Sequence, residues 1–274
     1  METFQLSEEL LKKIADLILA KKNTPLKKIV KDVHFADMAE IINELNEDQG
    51  IYLIKLFDSE KTSEILTELN EDVREKILKA LSVKEIADAF EELDSDDAAD
   101  ILGELSEKRK EEVISEISDN NLADDLKELL SYKEDSAGGL MAKELVLANE
   151  NWSITKCLKE IKKQGENVTR VHSIYVVDDK QKLIGRLSLK DLIISPAKKL
   201  IKDIYIPKVD SVNVYEDGEE VAKIMSKYDL EAIPVVNNKK QLVGRITIDD
   251  IVDLIKEEAE EDYLLAAGVQ GDVE

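Results

Sequence analysis

Apolar residues recur at twelve-residue intervals through the first half of the chain. The series runs Leu45, Phe57, Leu69, Leu81, Leu93, Leu105, Ile117 and Leu129. A helix-capping residue follows the first seven of these, namely Asn46, Asp58, Asn70, Ser82, Asp94, Ser106 and Ser118. Such side chains accept hydrogen bonds from the free N–H groups of a first helical turn. The pattern therefore predicts short helices of about eight or nine residues, joined by tight turns.

These predicted helices need neighbours, because helices this short are marginal on their own. Residues such as Ile65, Leu66 and Leu69 give each helix an apolar stripe. Ser82 with Glu85 fits a capping box, which supports a helix start at that point. Two helices make a repeat of about 24 residues, and several repeats predict a small helical solenoid. The first half is thus interpreted as a scaffold.

The pattern changes near Tyr132–Met141, where two glycines interrupt the rhythm. Two β-rich segments follow, Ser173–Asp178 and Ile233–Asn237, and each leads through a polar turn to a second strand. Gly185 and Gly244 differ by 59 positions, as do Asp191 and Asp250. This offset predicts one duplicated unit with the order strand, helix, strand, strand, helix. The predicted helices are Ile154–Lys163, Asp191–Ile194, Glu219–Tyr228 and Asp249–Lys256.

The charge balance favours cations as ligands. Among 274 residues there are 61 acids and 38 bases, which gives a net charge of −23. Such a field repels nucleic acid and anionic lipid, although solubility alone also explains it. The single cysteine, Cys157, excludes an internal disulfide and is predicted to be a core residue. We expect no signal peptide, because Met1–Ala20 carries acids and lysines throughout, and no bilayer span, because no run of about 18 apolar residues occurs.

Two groups of acids stand out. In DSDDAAD, Asp94 is the predicted cap, and Asp96 and Asp100 are four residues apart on one helical face. A solvated first turn favoured by the helix dipole explains Asp96 and its neighbour Asp97 as well. A calcium EF-hand is disfavoured, since the glycine at loop position six and the glutamate at position twelve are both missing.

The last predicted helix carries five acids within residues 257–262, after an apolar face predicted to pack on the core. That face consists of Ile248, Ile251, Val252, Leu254 and Ile255. Like charges at i,i+3 and i,i+4 oppose helix formation by roughly 0.2–0.5 kcal/mol per pair. The acidic segment is therefore a frayed end, a solvated face, or a segment that a bound ligand neutralises.

The strings GRLSLKD and GRITIDD, after VVDDKQKL and VVNNKKQL, resemble the final strand and helix of CBS domains. EDSAGGLM resembles the junction motif of MgtE-type magnesium transporters, and the chain is similar to the cytosolic region of that family over nearly its whole length. The resemblance implies an α + α/β fold. An N-terminal all-α superhelical repeat domain (1–131) precedes a tandem CBS pair of β-α-β-β-α units (132–200 and 201–256). The start of a connecting helix (257–274) follows, and the transmembrane domain is absent.

The resemblance also implies a set of Mg²⁺ ligands. Magnesium takes oxygen ligands and is commonly held by one or two carboxylates with water. The implied metal residues are Asp96, Asp100, Gly138 through its backbone oxygen, Glu219, Asp229, Asp250, Asp253, Glu258, Glu261 and Asp262. Lys256 and Glu260 depart from the family pattern, which affects ion number and affinity. Several Mg²⁺ ions are implied, and by bridging acids they compact the N and CBS domains and close the pore.

The implied partners are a second copy, paired through the CBS domains, and the missing transmembrane domain, with no nucleic acid. The implied location is the cytoplasmic side of the cell membrane, and this fragment is expected to be soluble. No enzymatic activity is expected, because no nucleophile–base pair or phosphate-cradling loop is visible in the sequence.

ATP is a further candidate ligand. Ser188, Lys190 and Asp191 match positions that hold ribose and phosphate in nucleotide-binding CBS proteins. The same serine and aspartate also fit a helix cap. Ser173 and Leu230 offer no aromatic face for an adenine ring. Two alternatives stay open: a soluble adenine-nucleotide-sensing CBS protein, and an adaptor whose acidic repeat binds a basic protein surface.

Overall fold

The chain folds into two compact units. The computed structural model describes residues 6–165, 168, 171 and 173–266, apart from the side chains of 257–258, 260–262 and 264–266. The first unit comprises Met1–Leu93 and Asp97–Leu126, and the second comprises Asp94–Asp96 and Lys127–Glu274. The chain therefore contributes three residues of the acidic DSDDAAD string to the second unit before it returns to the first.

The first unit is all helical. Its elements are α1 (Glu8–Leu19), α2 (Asn23–Val30), α3 (Phe35–Glu44), α4 (Glu47–Ile54), α5 (Ser59–Glu68), α6 (Glu71–Ala80), α7 (Val83–Phe90), α8 (Ser95–Gly103), α9 (Glu107–Glu116) and α10 (Asn120–Leu129). The start of α8 and the end of α10 belong to the second unit. Helix α3 packs on α5, α5 on α7 and α7 on α9, while α4 packs on α6. Helices α3 to α7 and α9 thus each contact a second neighbour along the chain, and the predicted helical repeat is confirmed.

Most of the predicted caps fall where the helices begin. The side chains of Asp58 and Ser82 accept N–H groups of the following turn, and Ser82 with Glu85 forms the predicted capping box. Asn70 and Ser106 occupy cap positions without making that bond. The prediction of Ser118 as a cap is wrong.

Helix α10 begins one residue later than the rhythm predicts. Its first turn is capped by Asp119, whose carboxylate accepts from the Asn121 N–H at 2.8 Å. The backbone N–H of Ser118 donates instead to the Glu91 carboxylate. This long-range bond holds Ser118 in the turn, and the turn gains a residue.

The second unit contains two sheets. One has the order β1 (Val146–Asn149), β2 (Ile174–Val177), β3 (Leu183–Leu187) and β4 (Ile206–Pro207); the other has the order β5 (Val212–Asn213), β6 (Ala232–Val236) and β7 (Leu242–Thr247). The first strand of each sheet runs parallel to the second, and the second runs antiparallel to the third. Val176 pairs with Gly185 as Val235 pairs with Gly244, so the 59-residue duplication is reproduced in the strand register.

Helices cover these sheets. They are α11 (Ile154–Gln164), α12 (Leu189–Ile194), α13 (Gly218–Tyr228) and α14 (Ile248–Ala266), with a short 3₁₀ helix at Ile201–Asp203. Cys157 on α11 is fully buried in the core with Ile174, Val176 and Leu192, as predicted. The fold class predicted from the sequence, a helical repeat followed by CBS-like sheets and a last helix, is confirmed.

The apolar face of α14 is wider than the surface that covers it. Ile251 and Leu254 are buried, but Ile248, Val252 and Ile255 are exposed. The prediction that all five residues pack on the core is therefore wrong for three of them. Helix α14 packs against α13 and β7. In the described part of the chain, no helix combines the length and the apolar composition that crossing a bilayer requires.

Candidate metal centre

Three carboxylates converge in the second unit. One oxygen from each of Asp94, Asp96 and Glu144 lies within 4.8 Å of the others. Asp94 immediately precedes α8, Asp96 lies in its first turn, and Glu144 lies two residues before β1. Asp96 is only 7% exposed, so the interpretation of its turn as solvated is wrong for this residue. Its neighbour Asp97 is exposed, as that interpretation predicted.

Hydrogen bonds fix the position of Glu144. Its Oε2 atom accepts from the backbone N–H of Ser95 at 3.1 Å and from the Ser95 hydroxyl at 2.9 Å. The Ser95 hydroxyl oxygen also accepts the Lys143 N–H at 2.8 Å. Burial raises the pKa of the Glu144 carboxyl, and the charge of Asp94 adds to this, while the Ser95 N–H opposes it.

A guanidinium group completes the cluster. Arg245 on β7 is 5% exposed. Its Nε donates to the Glu144 carbonyl oxygen at 2.6 Å, and its Nη2 lies 3.3 Å from Asp94 Oδ2. The backbone of Arg245 is paired with Ala142 through N–H···O bonds of 2.8 and 2.9 Å. The site therefore holds three acidic side chains and one fixed cation.

The other acids predicted as ligands are dispersed in the structure. Asp250 Oδ2 accepts hydrogen bonds from the N–H and the hydroxyl of Thr247, at 2.9 and 2.6 Å. These bonds stabilise the start of α14. Burial raises the pKa of Asp250, and these two bonds oppose the shift. Glu219 is 3.1 Å from the Lys223 ammonium, and Asp253 is 2.7 Å from the Lys256 ammonium.

Five further predicted positions do not join the cluster in the described structure. Asp100 is exposed on α8, and Asp229 ends α13 in the left-handed region with φ 53°. The side chains of Glu258, Glu261 and Asp262 lie outside the described residues. Among described residues, Asp96 is thus the one predicted ligand that joins a group of three acids.

Gly138 occupies a position that excludes a side chain. A Cβ there would lie 2.5 Å from the Tyr132 ring and 2.9 Å from the Val214 carbonyl oxygen. Its N–H donates to that same carbonyl at 2.8 Å, and the Gly218 N–H donates to the Asp135 carbonyl, also at 2.8 Å. The EDSAGGLM segment is therefore hydrogen-bonded to the turn that precedes α13 and to the first residue of that helix.

The predicted nucleotide residues lie at the start of α12. Ser188 caps this helix and accepts from the Asp191 N–H at 3.4 Å, which confirms the capping role. Lys190 is exposed beside it.

Glu144 and Arg245 were missed from the sequence. Glu144 lies between the glycine-rich segment and β1, about 50 positions from the aspartates that it meets. A local sequence pattern does not indicate a contact between residues that are so far apart in the sequence. The pairing of Ala142 with Arg245 creates the contact, and pairing partners are fixed only by tertiary structure.

Comparison with known families and structures agrees with this architecture. Residues 33–135 match the family model of the MgtE intracellular N domain, and residues 137–197 and 201–257 match the CBS domain. The Magnesium transporter MgtE of Thermus thermophilus is 40% identical over 131 residues, 48% of this chain and 29% of the relative. Its Bacillus subtilis counterpart is 34% identical over 134 residues, 49% of this chain and 30% of the relative.

Two crystal structures also match. The cytosolic domain of the Mg²⁺ channel MgtE in complex with ATP is 29% identical with a TM-score of 0.81, covering 89% of this chain and 99% of that one. The soluble part of a magnesium transporter is 28% identical with a TM-score of 0.77, covering 92% and 99%.

The fold and the family matches define a CBS-pair protein with an N-terminal helical repeat domain. More specifically, the chain carries the MgtE intracellular N domain followed by a CBS pair, and it matches the magnesium transporter MgtE in sequence and the cytosolic domain of MgtE in fold. The matched segments span only 29% and 30% of the length of the two curated relatives named above.

Proposed function

We propose that this chain is the Mg²⁺-sensing regulatory region of a magnesium transporter, on the cytoplasmic side of the membrane. The convergence of Asp94, Asp96 and Glu144 within 4.8 Å carries the proposal. Carboxylate oxygens are the ligands that Mg²⁺ prefers, and the single charge of Arg245 offsets the repulsion among three partly buried carboxylates only in part. The relatives named as magnesium transporters support the choice of ion.

The proposed mechanism is charge neutralisation. Without Mg²⁺, acids of the helical domain and of the CBS pair repel one another. Mg²⁺ at these acids favours a compact state that closes the pore of the full-length transporter. An ion shifts such an equilibrium only through tighter binding to one state. A shift from 1:99 to 99:1 takes about 5.5 kcal/mol of differential binding, which several weak sites can share.

The predicted ligands outside the cluster fit this mechanism as additional weak sites. Asp100, Asp229 and Asp253 are exposed, and so is Glu219. Their carboxylates are accessible to hydrated Mg²⁺, which keeps several of its waters when it binds. Gly138 is held by its N–H, and we propose its carbonyl as a ligand. This proposal extends to Asp250, Glu258, Glu261 and Asp262.

A matched pair of variants tests the cluster. Asp96→Asn removes a charge from the buried group, and Asp97→Asn removes one from the exposed neighbouring position. Binding to the folded state raises stability, so Mg²⁺ should raise the melting temperature of the wild-type chain. Asp96→Asn should lose much of that increase in a differential scanning fluorimetry titration, at constant ionic strength. Asp97→Asn should retain it. Equal titrations for the two variants would show that the cluster is not a Mg²⁺ site.

ATP binding is a second candidate function. The crystal structure that is 29% identical contains ATP, and Ser188 and Asp191 are arranged as a cap with Lys190 exposed beside them. Isothermal titration calorimetry with ATP, comparing wild type with Lys190→Ala, tests it. Heat of binding that the variant loses supports a nucleotide site, and no heat for wild type excludes one.

A further inference from the structure

Arg245 stands where a metal-binding cluster would need a cation. Its guanidinium lies 3.3 Å from Asp94 Oδ2 and donates to the Glu144 backbone at 2.6 Å. The side chain is 7% exposed. A buried charge of this kind is retained only when it is paired and hydrogen-bonded. The three acids and Arg245 are thus parts of one electrostatic unit.

The duplicated module supplies an internal comparison. Arg186 on β3 occupies the position equivalent to Arg245, 59 residues earlier. Tyr175 pairs with Arg186 as Pro234 pairs with Arg245, and Ile206 flanks the one as Ala142 flanks the other. The Arg186 side chain is nevertheless exposed, and within the described part of the chain it makes no side-chain hydrogen bond or ion pair. The acidic environment of Arg245 therefore comes from the segments that meet it and is not a general feature of the repeated unit.

We propose that Arg245 is a built-in cation that holds the Asp94–Asp96 turn on the second CBS module in the absence of Mg²⁺ and weakens Mg²⁺ binding at the cluster. Its single charge offsets part of the repulsion among Asp94, Asp96 and Glu144. A divalent ion that enters the cluster is in turn repelled by the guanidinium. Arg245 is a positioning residue that sets how much Mg²⁺ the cluster requires. The Mg²⁺ part of this inference rests on the proposed function, and the anchoring part does not.

Hydrogen exchange of the whole chain tests both parts. Lys143 donates its N–H to Ser95 Oγ, and Ser95 donates its N–H to Glu144, so these two amides report on the anchored turn. In EDTA, both amides should exchange at least about tenfold faster in Arg245→Met than in wild type. This is the loss expected when hydrogen bonds to a charged group are removed. Mg²⁺ should restore their protection, at lower concentrations than those at which wild type binds it. Arg186→Met, the matched control, should exchange both amides at the wild-type rate.

Two further variants separate charge from packing. Arg245→Lys keeps the charge and should keep most of the protection in EDTA. Arg245→Gln keeps a donor for the Glu144 carbonyl without the charge, and it replaces Arg245→Met if the latter does not fold.

Wild-type protection of Ser95 and Lys143 in a folded, uncharged variant without Mg²⁺ would overturn the anchoring role. Fast exchange that Mg²⁺ does not reverse, in a variant whose wild-type parent does bind Mg²⁺, would overturn the role as a substitute cation. If the wild-type chain binds no Mg²⁺, the proposed function fails. The anchor is then decided by the exchange rates in EDTA alone.

Discussion

Tyr175 carries a buried hydroxyl that the fold does not satisfy. The side chain is 1% exposed, and its hydroxyl has no hydrogen-bond partner within the described part of the chain. Burial raises the pKa of Tyr175 to about 12, although the charges of Arg245 and Arg186 act in the opposite direction. An unpaired buried hydroxyl costs free energy that its aromatic ring offsets by packing.

Removing that hydroxyl should therefore do no harm. We expect Tyr175→Phe to leave the free energy of unfolding unchanged or to raise it by about 1 kcal/mol, since an unsatisfied polar group is lost. Tyr132→Phe is the control, because the Tyr132 hydroxyl donates to Glu128 at 3.3 Å. That variant should lose up to about 1 kcal/mol. Urea unfolding of both variants measures the difference, and a clear loss for Tyr175→Phe would indicate a bound partner.

Glu144 predicts a pH dependence of stability. Burial raises its pKa in the folded state above the unfolded value, so the folded chain binds this proton more tightly. The stability contribution is then most favourable below the unfolded pKa and falls as pH rises through the raised folded pKa. In EDTA, Glu144→Gln should be more stable than wild type at neutral pH, and its stability should fall less steeply as the pH rises.

Thermal unfolding between about pH 4 and pH 8 measures this effect. Gln still accepts the hydrogen bonds of Ser95 through its carbonyl oxygen. The exposed acid Glu134 provides the control, and Glu134→Gln should follow the wild-type curve. Asp250 has a pKa that is raised by burial too, so some slope should persist in Glu144→Gln. Parallel curves for wild type and Glu144→Gln would contradict the assignment.

At the residue scale, the sequence could mark Asp96 but could not complete its site. Four-residue spacing and a capping position are local features, and they identified the first turn of α8. The burial of Asp96 and the approach of Glu144 depend on the pairing of Ala142 with Arg245, which joins segments about a hundred positions apart. Contacts over such distances have no period that a single sequence reveals.

At the scale of single elements, capping decides where the short helices begin. Ser82 and Glu85 form a reciprocal capping box at the start of α7. Asn70 has the same position at the start of α6, but its side chain makes no capping bond. Because both positions follow the twelve-residue rhythm, they allow a direct comparison of a formed and an unformed cap.

Ser82→Ala should therefore cost more than Asn70→Ala. We expect a loss of about 1 kcal/mol for Ser82→Ala, the usual cost of deleting a capping side chain. Asn70→Ala should stay within about 0.5 kcal/mol of wild type. Chemical denaturation of the two variants checks the difference. Equal losses at the two positions would mean that the capping box does not contribute to the stability of α7.

Helices and strands were predictable because their signals are local. The twelve-residue rhythm placed α4 to α9, and β-rich segments before polar turns placed β2 and β6. The rhythm failed at α10, where the bond from Ser118 to Glu91 lengthens the turn. The apolar pattern of α14 also did not show which part of its face is buried, since that depends on the positions of α13 and β7. Both errors arise from contacts between distant segments.

At the scale of the whole molecule, exposed apolar side chains lie on two helices of the second unit. On α12, Ile193 and Ile194 are 66% and 68% exposed, and Val252 and Ile255 are exposed on α14. The duplication places these two helices at equivalent positions of the two CBS modules. Apolar faces of this kind commonly mark protein–protein contacts. We infer that a second copy covers them, because a two-fold pair can bury both faces at once.

The wild-type chain should therefore sediment as a dimer at micromolar concentration. Ile193→Asp places a charge in the proposed interface, where it would be desolvated without a partner. It should weaken dimerisation at least tenfold, which corresponds to about 1.4 kcal/mol.

Leu19→Asp is the matched control, because Leu19 is a comparably exposed apolar residue, at 72%, on α1 of the first unit. Analytical ultracentrifugation over a concentration series gives both dissociation constants. A monomeric wild type would remove the dimer, and equal effects of the two substitutions would place the interface elsewhere. A dimer that persists in EDTA would also show that pairing does not depend on Mg²⁺ binding.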